Sequence, residues 1–147
     1  MLFTAIFTSA ADIINKTETL LAKIEADFAA TAAFYKAIGV DHIVALRGDP
    51  PGASGIGGAY QPRADGYANA TELCTAIRKI APFEISVSVY PEKHPESPSI
   101  DHDIDVLKAK VDAGATRAIS QFFFDIDAYS RFIDKVRAAG ITIPILP

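Results

Sequence analysis

The sequence predicts an α/β fold built on a parallel sheet. Apolar runs of strand length recur along the chain, and each ends in a polar word. Between them lie stretches with apolar residues at helical spacing, closed by glycines where a left-handed C-cap belongs. Strands and helices alternating at this distance require right-handed crossovers, hence parallel strands. With 147 residues there is material for one domain with a sizeable core, but too little for a complete eight-stranded β/α barrel of about 250 residues. Periodicity alone leaves a doubly wound sheet and consecutive barrel units as open alternatives.

Met1 to Ala11 is apolar, lacks a basic segment ahead of it and is too short to span a bilayer, so it reads as a strand or the remnant of one. From Thr17 to Ile38 the residues Leu20, Leu21, Ile24, Phe28, Ala32 and Tyr35 recur at helical spacing, and Gly39 follows. The first clear strand spans 42–47. Pro50 to Tyr67, rich in Gly and Pro, holds no regular element and can fold over a ligand as a lid. Its Gly55-Ile56-Gly57-Gly58 piece lacks the spacing of a dinucleotide fingerprint. Ala68 to Ile80 reads as a helix through Leu73, Cys74 and Ile77, and a second strand covers 84–90. Asp101 or Asp103 is the expected cap of a helix through Ile104, Leu107 and Val111, closed by Gly114. A third strand is expected over 117–123, a helix over Asp127 to Ala139 ended by Gly140, and a fourth strand over 142–146.

Half of the residues are hydrophobic and the net charge is −4, which offers no basic face to nucleic acid. The single cysteine, Cys74, excludes a disulfide framework or a cysteine-based zinc site within one chain, in keeping with a reducing, cytoplasmic compartment. His94, His102 and Glu92 match no zinc spacing.

The chemistry concentrates at strand ends. His42-Ile43-Val44-Ala45-Leu46-Arg47-Gly48-Asp49 places a cation, a side-chain-free backbone and a carboxylate at the C-terminal end of a buried-type strand, where α/β folds bind ligands. The simpler alternative is that Asp49 caps a turn before Pro50. The second strand ends in Tyr90-Pro91-Glu92 and runs into Lys93-His94-Pro95-Glu96. The third carries Gln121 inside Ile119 to Phe124, where a carboxamide must find hydrogen-bond partners or cost stability. Phe122, Phe123 and Phe124 read as core packing. Lys110 and Asp103 have simple alternatives, a solvated helix face and a helix cap.

These words, with Lys110-Val111-Asp112-Ala113-Gly114-Ala115 between them, resemble the methylenetetrahydrofolate reductase family of flavin enzymes from about Gly39 onward. The resemblance selects the barrel: one incomplete (β/α)8 TIM-barrel domain over 1–147, with 1–38 poorly matched. It implies reduction of methylenetetrahydrofolate to methyltetrahydrofolate in one-carbon and methionine metabolism, with FAD as cofactor and NAD(P)H as electron donor. Homo-oligomers, and no nucleic-acid or membrane partner, are implied for the full-length family.

By the same resemblance Asp49 is catalytic, its charge lying beside flavin and folate and favouring the cationic iminium form of the substrate. Gln121 joins it in holding the pterin. Cofactor contacts are implied for Leu46, Arg47, Gly48, Asp49, Tyr67, Ala68, Ser88, Tyr90, His94, Asp103 and Lys110, the last two towards the ribose or diphosphate. Ser88, Ser97, Val106 and Ala109 depart from what relatives carry and thin the phosphate-side contacts. The family's early strand bearing a proton-donating glutamate has no counterpart; Glu84 reads as an ordinary strand residue. Thr17 to Leu21 lacks the histidine expected near the cofactor. A non-catalytic fragment or pseudoenzyme keeping part of the site is therefore the alternative reading, and the chain alone is expected to bind flavin weakly and to be inactive.

Overall fold

The computed structural model describes residues 26–47 and 66–147. In chain order these form α1 (26–37), β1 (His42–Ala45), α2 (Ala70–Ile80), β2 (Glu84–Val89), α3 (Ile100–Asp112), β3 (Arg117–Ser120), α4 (Ile126–Ala138) and β4 (Ile145–Leu146). The four strands pair side by side in sequence order, β1-β2-β3-β4, and every pair is parallel. A doubly wound sheet reverses its strand order at a switch point. This sheet does not reverse, so right-handed crossovers carry its helices to one face, as in successive units of a barrel. Among the described residues the sheet is open: four strands lie edge to edge without closing.

Alternation within each strand separates the two faces. Ala45, Ile85, Val87, Val89 and Ala118 point towards the helices and are buried with Cys74 and Ile77 of α2, Ile104 and Leu107 of α3, and Phe132 and Val136 of α4. The opposite face leaves Val44, Leu46, Ile119 and Leu146 exposed. At its N-terminal end a polar group forms instead. His42 Nε2 lies 2.7 Å from the buried Ser86 hydroxyl, and Arg117 donates to Glu84 at 3.3 Å. The register that pairs His42 with Glu84 and Ser86 with Arg117 brings these side chains together.

The helix starts follow capping chemistry, with one correction. Asn69 caps α2 by accepting from the Glu72 amide at 3.0 Å, and Glu72 reaches back to the Ala68 amide at 2.9 Å. The cap of α3 is Ser99, whose hydroxyl accepts from the His102 amide at 3.1 Å, rather than Asp101 or Asp103. Both aspartates already lie in the first helical turn, where their charge complements the helix dipole. Asp103 instead accepts from the His94 amide at 2.9 Å, and Asp101 pairs with Lys135 at 2.7 Å.

The third strand is shorter than expected. Gln121 donates its amide to Val89 O at 2.7 Å as the chain leaves the ladder, and Asp125 then caps α4 through the Asp127 and Ala128 amides. Gln121 is therefore exposed, free of the burial cost expected for a carboxamide inside a strand. Phe122 and Phe124 are not core residues either: they are 77% and 88% exposed and touch edge to face. Only Phe123 finds cover, stacked on Tyr129.

Candidate functional site

A cavity of about 540 Å³ opens at the C-terminal ends of β1, β2 and β3, within the size range of cofactor pockets. Leu46 and Arg47 enter it as the chain leaves β1, Ser88 and Tyr90 from the end of β2, and Gln121 from the end of β3. From the helix layer, Asp103, Val106 and Lys110 reach the same space at helical spacing along α3. The segment between β2 and α3 adds His94, Glu96 and Ser97.

The loop carrying these groups is held from within. Lys93 adopts a positive φ of 80°, and its ammonium donates to His94 O at 3.0 Å and Ser97 O at 2.6 Å. That bends 93–97 into a turn which the Asp103 carboxylate anchors through the His94 amide. His94 packs edge to face on Tyr90 at 4.5 Å between ring centres. Its Nδ1 accepts from the Glu96 amide at 3.1 Å, so the neutral ring carries its proton on Nε2. Across the mouth, Arg47 forms a 2.7 Å ion pair with Glu96, joining the end of β1 to this loop.

Lys110 sets the electrostatics of the floor. Its ammonium donates to Ser88 O at 3.0 Å, and burial pushes its pKa below the usual lysine range, opposed by Cys74 and Asp103 and reinforced by Arg47. Cys74, buried beneath the sheet, has its thiol pKa raised by the same desolvation, with the Lys110 charge working against it. A partly buried cation is a ready partner for an anionic group such as a phosphate.

Of the residues singled out in the sequence, Leu46, Arg47, Ser88, Tyr90, His94, Asp103, Lys110 and Gln121 line this one cavity. Tyr67 and Ala68 are not among its lining residues: Tyr67 meets the ring of Phe28 edge to face at 5.4 Å, and the Ala68 amide is bound to Glu72. Gly48 and Asp49, and the lid expected over Pro50 to Tyr67 up to residue 65, lie outside the described residues. Reading the sequence missed Glu96, Asn69 and His102, which also line the cavity. Asn69 was signalled by Glu72 three positions on, a capping-box spacing. Glu96 carried no such signal, because its partner Arg47 is 49 positions away.

The family model for methylenetetrahydrofolate reductase matches residues 13–147. The 5,10-methylenetetrahydrofolate reductase of Escherichia coli K12 is 50% identical over 109 residues, covering 74% of this chain and 34% of that protein. Its counterpart in Salmonella typhimurium LT2 is 49% identical over the same length and coverage. The protein of the same name from Buchnera aphidicola subsp. Baizongia pistaciae is 43% identical over 134 residues, 91% of this chain and 40% of that protein. The chain thus spans about a third of the length of the relatives it matches. A parallel β/α sheet of unreversed order, a cavity at its strand ends and a family match over almost the whole chain lead to one assignment: the chain belongs to the methylenetetrahydrofolate reductase family.

Proposed function

We propose that this chain supplies flavin and folate contacts for the reduction of methylenetetrahydrofolate to methyltetrahydrofolate, with NAD(P)H as electron donor, as part of a single TIM-barrel domain working in the cytoplasm. The observation that carries the reading is the convergence of Arg47, Ser88, Tyr90, His94, Asp103, Lys110 and Gln121 on one cavity at the strand ends. The donor set suits FAD. Arg47 and the partly buried Lys110 answer a diphosphate, Asp103 can accept from ribose hydroxyls, and the Tyr90–His94 pair offers an aromatic edge to a planar ring. When bound, the flavin supplies the hydride relay between nicotinamide and folate. The chain's own residues orient the two ligands: Gln121 hydrogen-bonds the pterin, and the negative charge of Asp49 favours the cationic iminium form of the substrate.

The test joins this chain to the flanking segments of the Escherichia coli relative. The expected product is a yellow protein that reduces methylenetetrahydrofolate, in which Asp49→Asn lowers turnover at least about tenfold and by more than it lowers flavin binding. A colourless chimera, or one in which Asp49→Asn leaves turnover intact, overturns the reading. A chimera that binds flavin yet reduces no folate supports the alternative of a non-catalytic chain that keeps part of the site.

A further inference from the structure

We infer that Glu92 is a positioning residue for substrate: its carboxylate holds the turn after β3 in the conformation that presents Gln121 to the cavity. Glu92 follows Tyr90 and Pro91 at the end of β2, and its Oε1 accepts from the Phe124 amide at 3.4 Å and the Asp125 amide at 3.2 Å. Among the described residues, the other bond from the 121–125 backbone amides to the β2 side runs from Gln121 N to Val89 O at 2.7 Å. The turn is thus pinned at both ends to β2, by a ladder bond at Gln121 and by a charge-assisted pair at Phe124 and Asp125.

Its apolar hold is confined to Phe123, stacked on Tyr129. Phe122 and Phe124 are 77% and 88% exposed, so their burial contributes almost nothing to fixing the path of the chain. The two amides stand just ahead of the first turn of α4, where backbone N–H groups lack helical acceptors and the helix dipole favours a negative charge. A carboxylate is suited to this place because one oxygen takes both donors and carries the charge the dipole favours. Glu92 does not line the cavity, whereas Gln121 does, so the glutamate acts through the turn rather than on the ligand.

This inference rests on the proposed folate reading of Gln121, and the experiment separates the two. In the isotope-labelled chimera with the Escherichia coli flanking segments, amide exchange and ligand-induced shifts are followed by NMR for the unsubstituted form (wild type), Glu92→Ala and Glu92→Gln. Expected in Glu92→Ala is roughly tenfold faster exchange at Phe124 and Asp125 and roughly tenfold weaker binding of methyltetrahydrofolate, with FAD binding unchanged. Glu92→Gln keeps a carbonyl acceptor without the charge and should recover part of both losses. Equal folate affinity in wild type and Glu92→Ala overturns the inference, as does an equal loss for FAD, which would mark a merely structural role. A wild type that binds FAD but no folate overturns the folate reading instead. The exchange rates at Phe124 and Asp125 then decide by themselves whether Glu92 holds the turn, and unchanged rates refute it.

Discussion

Replacing Gly114 with alanine tests how the end of α3 is built. Gly114 sits at φ +110°, and a Cβ placed there would lie 2.5 Å from Arg78 Cγ, 2.9 Å from Cδ and 3.1 Å from Nε. The backbone term alone costs about 1–2 kcal/mol for an L-residue in left-handed space. Arg78 must also swing away, giving up the bond from its Nη1 to Phe83 O at 3.1 Å. Because Arg78 is exposed, that loss is taken as about 1 kcal/mol. The sum, about 2–3 kcal/mol, corresponds to a fall in Tm of roughly 4–12 °C for a domain of this size. Urea unfolding followed by circular dichroism measures it. Gly140→Ala is the control, because Gly140 has φ +79° with nothing within 4 Å of its Cβ and so carries only the backbone term. In an Arg78→Ala background Gly114→Ala should fall to the cost of Gly140→Ala. Equal costs for the two glycine variants in the wild-type background, or no coupling to Arg78 beyond about 0.5 kcal/mol, would refute the argument.

Ser99→Ala should destabilise the chain by about 1 kcal/mol, and by more than Asp101→Ala, whose exposed ion pair with Lys135 contributes little; the reverse order in denaturant unfolding would contradict the cap. Hydrogen bonding, first from the Ala128 amide, holds the Asp125 carboxyl below the ordinary aspartate value of 3.8. Its stabilising contribution is therefore complete above that value and lost as pH falls through the depressed one. The stability gap between wild type and Asp125→Ala should accordingly close on acidification, and a gap independent of pH would exclude this linkage. Lys110 titrates in the opposite sense. Its folded-state pKa lies below the ordinary 10.5, so the unfolded chain holds more protons between the two values and stability rises with pH there. Lys110→Met should flatten that rise, as read from unfolding free energies measured over alkaline pH. An identical slope in the variant would mean that burial does not tax this ammonium.

The local elements were legible because their signals are local. Helical spacing, Gly114 and Gly140 as C-caps, and strand runs ending in polar words all act within a few residues, and the structure places α2, α3, α4 and the four strands within a few residues of those expectations. Boundaries failed where a neighbour in space decided them. Seen along the chain, Phe122 to Phe124 continue an apolar strand. In three dimensions the ladder ends at the Gln121–Val89 bond, and the amides of Phe124 and Asp125 turn to Glu92. Asp101 and Asp103 looked like caps by type, but Ser99 stands at the extended residue before the helix and takes that role.

Charge, periodicity and the Arg-Gly-Asp, Tyr-Pro-Glu and Gln-Phe words were properties of the sequence by itself. They determined a parallel α/β chain with its polar residues at strand ends, and the residues by which it resembles its family. Tertiary structure alone decided that the strand order runs without reversal, that Arg47 closes on Glu96 across 49 positions, and that Gln121 lines the cavity instead of lying inside a strand. The reason is physical. Propensity and capping are short-range terms written in neighbouring residues, whereas strand order, ion pairs across the mouth and burial depend on which distant segments the crossovers bring side by side.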